Sequence, residues 1–369
     1  MGEGADAHFM SMALALARRG LGRVSPNPAV GCVLVKDGVV VGRGWTQPGG
    51  RPHAEVEALA RAGAAANGAT AYVTLEPCSH HGKTPPCADA LIAAGIRRAV
   101  VAVEDPDPRV NGRGVRALKK HGIDVELGIG EVEARDVNEG FFKRVQHKRP
   151  MVTLKLAMSL DGRIATHTGE SQWITGEAAR MEAHRLRATH DAIMIGSGTA
   201  LEDRPRLDCR LPGLADRSPI RIVADRRLRL PLTSGLVATA KDTPTWLVTL
   251  PDADRNRRAA FEECGVTVIP VAPAAPGTED IAHVLAVLAE RGITRLLVEG
   301  GAHLAATLLQ ADLVDRLAWF QAPNLIGGDG LPAIAGFGVD KLNQSPRFLA
   351  IDRRTLGDDI CETYIRVRS

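Results

Sequence analysis

Apolar and polar positions along this chain fall into two rhythms, helical stripes and short continuous apolar runs, and the two alternate from end to end. From His8 to Arg19, Met10, Ala13, Leu14 and Ala17 share one face of a predicted helix. Ala29–Val35 and Val39–Gly42 read as strands joined at Lys36-Asp37-Gly38, a hairpin signal. A helix opening near His53 carries Glu55, Ala58, Leu59 and Ala62 on its buried side, and Ala71–Leu75 is a buried strand ending at Glu76-Pro77-Cys78. Helix Ala88–Ala94, strand Ala99–Val103, an Asp105–Pro108 loop, helix Val115–Lys120, strand Ile123–Leu127 and a helical stretch Glu131–Phe142 complete a first unit. The alternation predicts an α/β layer with helices on both faces. Lys143–Pro150 is basic, polar and closed by proline, so the boundary is set there, giving domains 1–147 and 148–369.

The second unit opens with strand Met151–Met158 and a turn at Asp161-Gly162. A helix from Gly176-Glu177 to Thr189 leads to strand Asp191–Ile195, which runs into Gly196-Ser197-Gly198-Thr199. Ile220–Ala224, Thr245–Thr249 and Val266–Ile269 are further strands, followed by helix Ile281–Glu290 and strand Arg295–Val298. Glu299-Gly300-Gly301 then leads into helix His303–Leu309, and this order predicts a largely parallel sheet. Pro270–Gly277 is the one low-complexity stretch and reads as a surface loop.

Composition narrows the function. The length of 369 residues suggests two domains, and 45% apolar against 24% charged residues is the balance of a globular protein. A net charge of +3 and only 4% aromatics argue against a nucleic-acid partner, which would want a basic excess and stacking platforms. No apolar run reaches the ~18 residues of a membrane span, and Met1–Ala7 lacks the layout of a secretory signal. Cys32, Cys209, Cys264 and Cys361 are scattered singly, which suits a reducing cytoplasm better than a disulfide framework.

The remaining two cysteines carry chemistry. His53, Cys78 and Cys87 form a nitrogen-and-thiolate set suited to Zn²⁺, and three protein ligands leave one tetrahedral position open for water. Glu55, two residues after the histidine, is placed to carry protons. A His-x-Glu followed by Pro-Cys and a second Cys is the pattern of zinc deaminases, in which water activated at the metal attacks an amidine-type carbon. Eight residues separate the thiols here where two is usual. His53 and Cys87 each open a helix, whose positive end favours thiolate. A structural four-ligand site is the rival, with His80 and His81 as candidate fourth ligands. A nucleic-acid deaminase and a non-catalytic zinc module with a nucleotide-binding tail are the alternatives at the level of function.

Two strand–glycine turn–helix junctions, Ile195-Gly196-Ser197-Gly198 and Val298-Glu299-Gly300-Gly301, would expose main-chain N–H groups at helix starts, where phosphate binds. The first matches only part of a dinucleotide fingerprint, because Leu201 replaces the third glycine. Two such junctions at strand carboxyl ends point to a nucleotide site.

These pieces together resemble a known family. Pro26-Asn27-Pro28-Ala29-Val30-Gly31, His53-Ala54-Glu55 and the run Thr74 to Cys87 closely resemble the bifunctional riboflavin-biosynthesis deaminase/reductase of bacteria. So do Lys155 to Arg163, Gly169 to Ile174 and Val298 to Gly301, and the thiol spacing is that family's own. The resemblance implies an α/β protein with an N-terminal cytidine-deaminase-like zinc domain and a C-terminal dihydrofolate-reductase-like domain. It implies deamination of 2,5-diamino-6-ribosylamino-4(3H)-pyrimidinone 5′-phosphate, then NADPH-dependent reduction of the ribosyl side chain to ribityl. The cofactors implied are Zn²⁺ and NADPH, the partner is the small-molecule pyrimidine ribose phosphate, and copies of the chain are expected to associate.

The resemblance also assigns residues. Glu55 would shuttle the proton, and Asn27, His80, Lys83 and Asn111 would contact the deaminase substrate. In the reductase, Ser171, Arg187, Leu207, Arg210 and Glu299 would hold substrate, the arginines suiting its phosphate, and Lys155 would lie by the reacting centre as a catalytic candidate. Ala157, Trp173, Thr199, Asp203 and the segment Gly301, Ala302, His303, Leu304, Ala305, Ala306 and Thr307 would touch NADPH. Arg226, just past its strand, is placed to meet the 2′-phosphate.

Overall fold

Residues 3–80, 85–273 and 281–368 are described by the computed structural model, and the chain divides into two units, Met1–Lys148 and Arg149–Ser369. Residues 274–277 of the expected loop Pro270–Gly277 lie outside the described residues.

The first unit begins with α1 (Glu3–Ala17), β1 (Gly31–Lys36), β2 (Val39–Trp45), α2 (Ala54–Ala62) and β3 (Thr70–Val73). It continues with α3 (Cys87–Ala93), β4 (Arg98–Val101), α4 (Arg113–Lys120), β5 (Asp124–Leu127), α5 (Glu131–Val137) and α6 (Glu139–His147). The strands form one sheet in the order β2-β1-β3-β4-β5. The β1–β2 hairpin turns at Asp37 and Gly38, both left-handed (φ 49° and 77°), as the Asp-Gly signal predicts.

Glycines decide how closely the helices approach this sheet. Gly31 and Gly44 lie on opposite faces, because Gly44 pairs with Cys32, the neighbour of Gly31. A Cβ on Gly31 would sit 1.9 Å from Ala13 O of α1, and one on Gly44 would sit 2.1 Å from Ala54 O of α2. Backbone therefore rests on backbone on both faces, giving the two-sided helical cover that the alternation predicts. Buried Tyr72, Leu34, Leu75 and Leu91 fill the space between.

Two boundaries differ from expectation. The first helix starts at Glu3 rather than His8, because Asp6 is buried, bonded twice to Arg98 at 2.9 Å and once to Tyr72 at 2.6 Å. Lys143–His147, expected as linker, is the end of α6, anchored by buried Phe141 and Phe142. The helical stretch is instead broken at Asn138, whose amide bonds both main-chain groups of Ala29 (2.8 and 3.1 Å).

The second unit begins with β6 (Met151–Met158), β7 (Arg163–Ala165), α7 (Glu177–Ala188), β8 (Ala192–Gly196), α8 (Ser197–Glu202) and β9 (Ile220–Ala224). Then come α9 (Gly235–Ala238), β10 (Thr245–Thr249), α10 (Arg255–Glu263), β11 (Thr267–Pro270), α11 (Ile281–Glu290), β12 (Arg295–Glu299) and α12 (Ala302–Gln310). Last are β13 (Arg316–Gln321), β14 (Leu331–Pro332), β15 (Arg347–Leu356) and β16 (Asp359–Val367). The main sheet has the order β11-β10-β9-β8-β12-β6-β13-β16-β15. It is parallel from β11 to β13, and the last two strands are antiparallel.

Alternation along the central strands divides this sheet into two apolar faces. Met194, Ile222, Leu296 and Val298 pack with Leu285 and Leu288 of α11 and Leu308 of α12. Ile193, Val223 and Leu297 pack with Leu236 of α9 and Phe261 of α10. Lys155 and Glu299 project on this second face, out of step with Leu154 and Val298.

Candidate active sites

In the first unit the sequence converges on one point. His53 caps α2, Cys87 opens α3 and Cys78 follows the turn after β3. Their ligand atoms all lie within 4.8 Å of one another. His53 Nδ1 is 3.3 Å from Cys87 Sγ and 3.7 Å from Cys78 Sγ, and the Cys87 main-chain N–H donates to Cys78 Sγ at 3.3 Å. Among the described residues no fourth His, Cys, Asp or Glu joins this group; His81 lies outside them. The Cys87 thiol, His53 and the Cys87 N–H hold Cys78 down at about 4, as a thiolate. The Cys87 thiol, which donates to Cys78, is pushed up. One nitrogen and two soft sulfurs at two helix N-termini make a donor set that fits zinc with a position to spare.

Glu55 sits in the first turn of α2, 3% exposed and beside the Cys87 thiol. Burial and the Cys78 thiolate push its carboxyl up to about 7. Asn27 donates to Gly50 O at 3.1 Å, and a Cβ on Gly50 would collide with its amide. His80 is half-buried, and its Nδ1, like Ser79 Oγ, is buried without a hydrogen-bond partner. Asn111 takes a positive φ of 23° just before α4. Lys83 lies outside the described residues.

Three carboxylates of this unit were given no role by the sequence: Asp105 and Asp107 lie outside the quoted motifs, and Glu76 lies inside one without an assignment. Asp105 and Asp107 are buried, and Asp107 pairs with Arg109 at 2.5 Å. Glu76, next to Pro77-Cys78, is 3% exposed and accepts from three main-chain N–H groups, those of Asp105, Gly112 and Val115. An Asp-Pro-Asp-Pro run signals only a loop; nothing in it announces burial.

In the second unit Lys155, Arg187, Arg210 and Glu299 come together. Arg187 donates to both oxygens of Glu299 at 2.8 Å, and Lys155 Nζ stands 4.0 Å from the same carboxylate. Burial raises the Glu299 carboxyl, but Arg187 and Lys155 outweigh it and hold the group at about 2. Burial lowers the Lys155 ammonium. Arg187 also donates to Asp208 O at 3.0 Å, and Arg210 reaches His184 Nε2 at 3.4 Å. Leu207 is 2% exposed and packs into the apolar core. Ser171 is half-buried in the loop ahead of α7.

The two glycine junctions meet. A Cβ on Gly301 would lie 3.1 Å from Thr199 Oγ1, so the turns form one rim. Beside it is a cavity of about 690 Å³ bordered by Thr199, Arg226, Gly301, His303, Leu304 and Thr307, among others. Arg227 and Arg229, which sequence reasoning passed over, line it with Arg226; the signal was a run of arginines just past a strand end. Ala305 and Ala306 are buried one turn into α12, and Ala157, Asp203 and Ala302 do not border the cavity. Trp173 does not border it either: the residue is 67% exposed, and its ring lies against Arg180, with the centroid 4.8 Å from the guanidinium carbon.

Comparison with known proteins bears on both halves. The model for the cytidine and deoxycytidylate deaminase zinc-binding region matches residues 4–103, and that for the RibD C-terminal domain matches residues 150–361. The riboflavin biosynthesis protein RibD of Escherichia coli is 44% identical, with 96% of this chain and 98% of that protein covered. Its namesake from Bacillus amyloliquefaciens is 42% identical over 98% and 96%. Among solved structures, Acinetobacter baumannii RibD superposes with a TM-score of 0.90 at 39% identity, with both chains fully covered. A Thermotoga maritima diaminohydroxyphosphoribosylaminopyrimidine deaminase/5-amino-6-(5-phosphoribosylamino)uracil reductase superposes at 0.87 with 34% identity, again over 100% of each chain.

Proposed function

The chain belongs to the RibD family of riboflavin-biosynthesis proteins, and from that premise we propose how its residues divide the work. It is a bifunctional enzyme, a zinc-dependent deaminase joined to an NADPH-dependent reductase. Deamination converts the 2,5-diamino-6-ribosylamino-4(3H)-pyrimidinone 5′-phosphate to the 5-amino-6-(5-phosphoribosylamino)uracil, and reduction opens the ribosyl group to ribityl. We assign the first step to residues 1–147 and the second to residues 148–369.

The observation that carries the deaminase reading is the three-ligand cluster with a buried carboxylate two residues beyond its histidine. His53, Cys78 and Cys87 would hold the metal, which when bound supplies Lewis acidity that lowers the pKa of water. Glu55 takes the proton of the attacking water onto a carboxylate oxygen and passes it to the nitrogen that leaves as ammonia. Asn27, His80, Lys83 and Asn111 orient the pyrimidinone and its ribose phosphate; the unpartnered Nδ1 of His80 supports that role.

For the reductase, Thr199, Gly301 and Arg226 would hold NADPH, which when bound would supply hydride for the ribose carbon. Lys155 delivers the proton that the reduced group needs, and Glu299, oriented by Arg187, holds the substrate beside it. Arg210, about half exposed, is the better placed of the two arginines for phosphate, since Arg187 is already bonded to Glu299 and Asp208. The cofactor reading is supported by the joined glycine turns and the three arginines at the cavity. Trp173, Ala157, Asp203, Ser171 and Leu207 keep their roles on resemblance alone.

Copies of the chain are proposed to associate, with Leu349 and Ile351 exposed on the edge strand β15. Six unpaired cysteines support a reducing cytoplasmic setting. The direct test is metal analysis with a coupled assay on the pyrimidinone phosphate. Ammonia release without NADPH, and NADPH oxidation only after deamination, is the expected result. Absence of bound zinc, or preference for single-stranded nucleic acid over the free pyrimidinone, would overturn it.

A further inference from the structure

Glu76 occupies an unusual place for a buried carboxylate. It follows β3, precedes Pro77-Cys78 directly, and its own N–H donates to Val103 O at 3.0 Å. Its side chain, 3% exposed, reaches the other way, across to the segment that follows β4. There Oε2 accepts from Asp105 N at 3.2 Å and from Gly112 N at 2.8 Å, while Oε1 accepts from Val115 N at 3.1 Å. These three donors bracket the whole Asp105–Val115 segment, including Asn111 with its positive φ. The segment is pinned a second time from the same place: a Cβ on Gly114 would lie 2.0 Å from Pro77 O.

One carboxylate thus joins two parts of the deaminase that are distant in sequence, the turn presenting the Cys78 thiolate and the loop presenting Asn111. We propose that Glu76 is a positioning residue, which keeps the Cys78 ligand and the Asp105–Val115 substrate loop in register by accepting the three main-chain N–H groups. The inference rests on the assignment of His53, Cys78 and Cys87 to the metal. A neutral amide cannot substitute, since Gln offers one acceptor oxygen and would turn an N–H₂ toward N–H donors. Asp keeps both acceptors on a shorter arm. A space-filling role would therefore favour Gln, the isostere, and an acceptor role favours Asp.

The test compares Glu76→Gln and Glu76→Asp in the zinc-loaded full chain, with three readouts. Zinc loss to a chelator should accelerate at least about tenfold in Glu76→Gln, and KM for the pyrimidinone phosphate should rise by a similar factor. Amide exchange at Gly112 and Val115 should quicken, with Tyr72 and Val100 in the sheet unchanged. Glu76→Asp should fall between the parent and Glu76→Gln on every measure. The reductase, assayed on the deaminated substrate, should stay within about twofold in both variants. Zinc release and KM within about twofold of the parent, a Gln variant better than the Asp variant, or loss of exchange protection across the whole sheet would each overturn the proposal. A parent chain that binds no zinc would instead remove the metal assignment beneath it.

Discussion

Lys155 and Glu299 stand directly opposite each other in the parallel register of β6 and β12, with Nζ 4.0 Å from Oε2. Arg187 on α7 grips both oxygens of the same carboxylate, so one buried anion serves two cations. Removing one partner of a buried ion pair leaves uncompensated charge, which typically costs about 3–5 kcal/mol. Glu299→Ala should therefore lower the melting temperature of the reductase unit and cut its kcat/KM by about a hundredfold or more. The affinity for NADPH, measured by fluorescence titration, should change far less. Equal loss of substrate and cofactor affinity would contradict the placement of Glu299 beside the substrate.

His190 gives the reductase unit an acid-sensitive point. It is 2% exposed, its Nδ1 lies 2.7 Å from Leu186 O and its Nε2 lies 2.9 Å from Thr153 Oγ1. A carbonyl only accepts, so Nδ1 carries the proton, and the neutral ring accepts the Thr153 hydroxyl at Nε2. Burial, helped by the Arg295 cation, depresses its pKa from 6.5 to about 3. Between those values the unfolded chain binds the proton and the folded chain does not. The stability His190 contributes is thus fully present above 6.5 and lost as pH falls toward 3, by up to about 1.4 kcal/mol per pH unit. Urea titrations of the second unit at several pH values should show this slope, and His190→Gln should flatten it.

The convergence of His53, Cys78 and Cys87 was legible because these residues are chemically rare and fall in one short stretch, with Glu55 two residues after the histidine. The parallel strands were legible too, since burial on both faces makes them continuous apolar runs. The hairpin of β15 and β16 carried a weaker signal. β15 is an exposed edge strand, and Asp352, Arg353 and Arg354 end its apolar run at Ile351. Contacts such as Asn138 with Ala29, or Glu76 with Gly112, rest on ordinary polar residues far apart in sequence. Their meaning exists only once the strands are stacked. The direction of the Trp173 ring, which lies against Arg180, was not legible for a related reason, because the motif names the residue but not the orientation of its side chain.

Glu55 separates binding of the metal from use of it. It is not within the ligand cluster, so Glu55→Gln should keep zinc at the parent stoichiometry. Proton transfer by a positioned side chain is worth about 10²–10⁴ in rate, and the deaminase should lose about that much. NADPH oxidation on the deaminated substrate should be unaffected. A Gln variant with full deaminase activity would remove Glu55 from the reaction.

Gly44 tests whether the approach of α2 to the sheet sets the metal site. A Cβ there would lie 2.1 Å from Ala54 O and 2.6 Å from Ala58 N, both main-chain atoms that no rotamer change can move aside. Overpacking relieved by side-chain shifts costs about 1–3 kcal/mol, and here the helix itself must rise off β2. His53 caps that helix and Glu55 lies in its first turn, so the displacement passes straight to the proposed ligand and the proposed proton carrier. Gly44→Ala should lower the melting transition of the first unit, reduce its zinc occupancy and depress deamination together. Gly4→Ala is the matched control: nothing lies within 4 Å of its Cβ, and in α1 the added methyl should stabilise by up to about 1 kcal/mol. If Gly44→Ala melted like the parent yet lost its zinc, the helix would be shifting without strain, and the ligand geometry would depend on something other than this backbone contact.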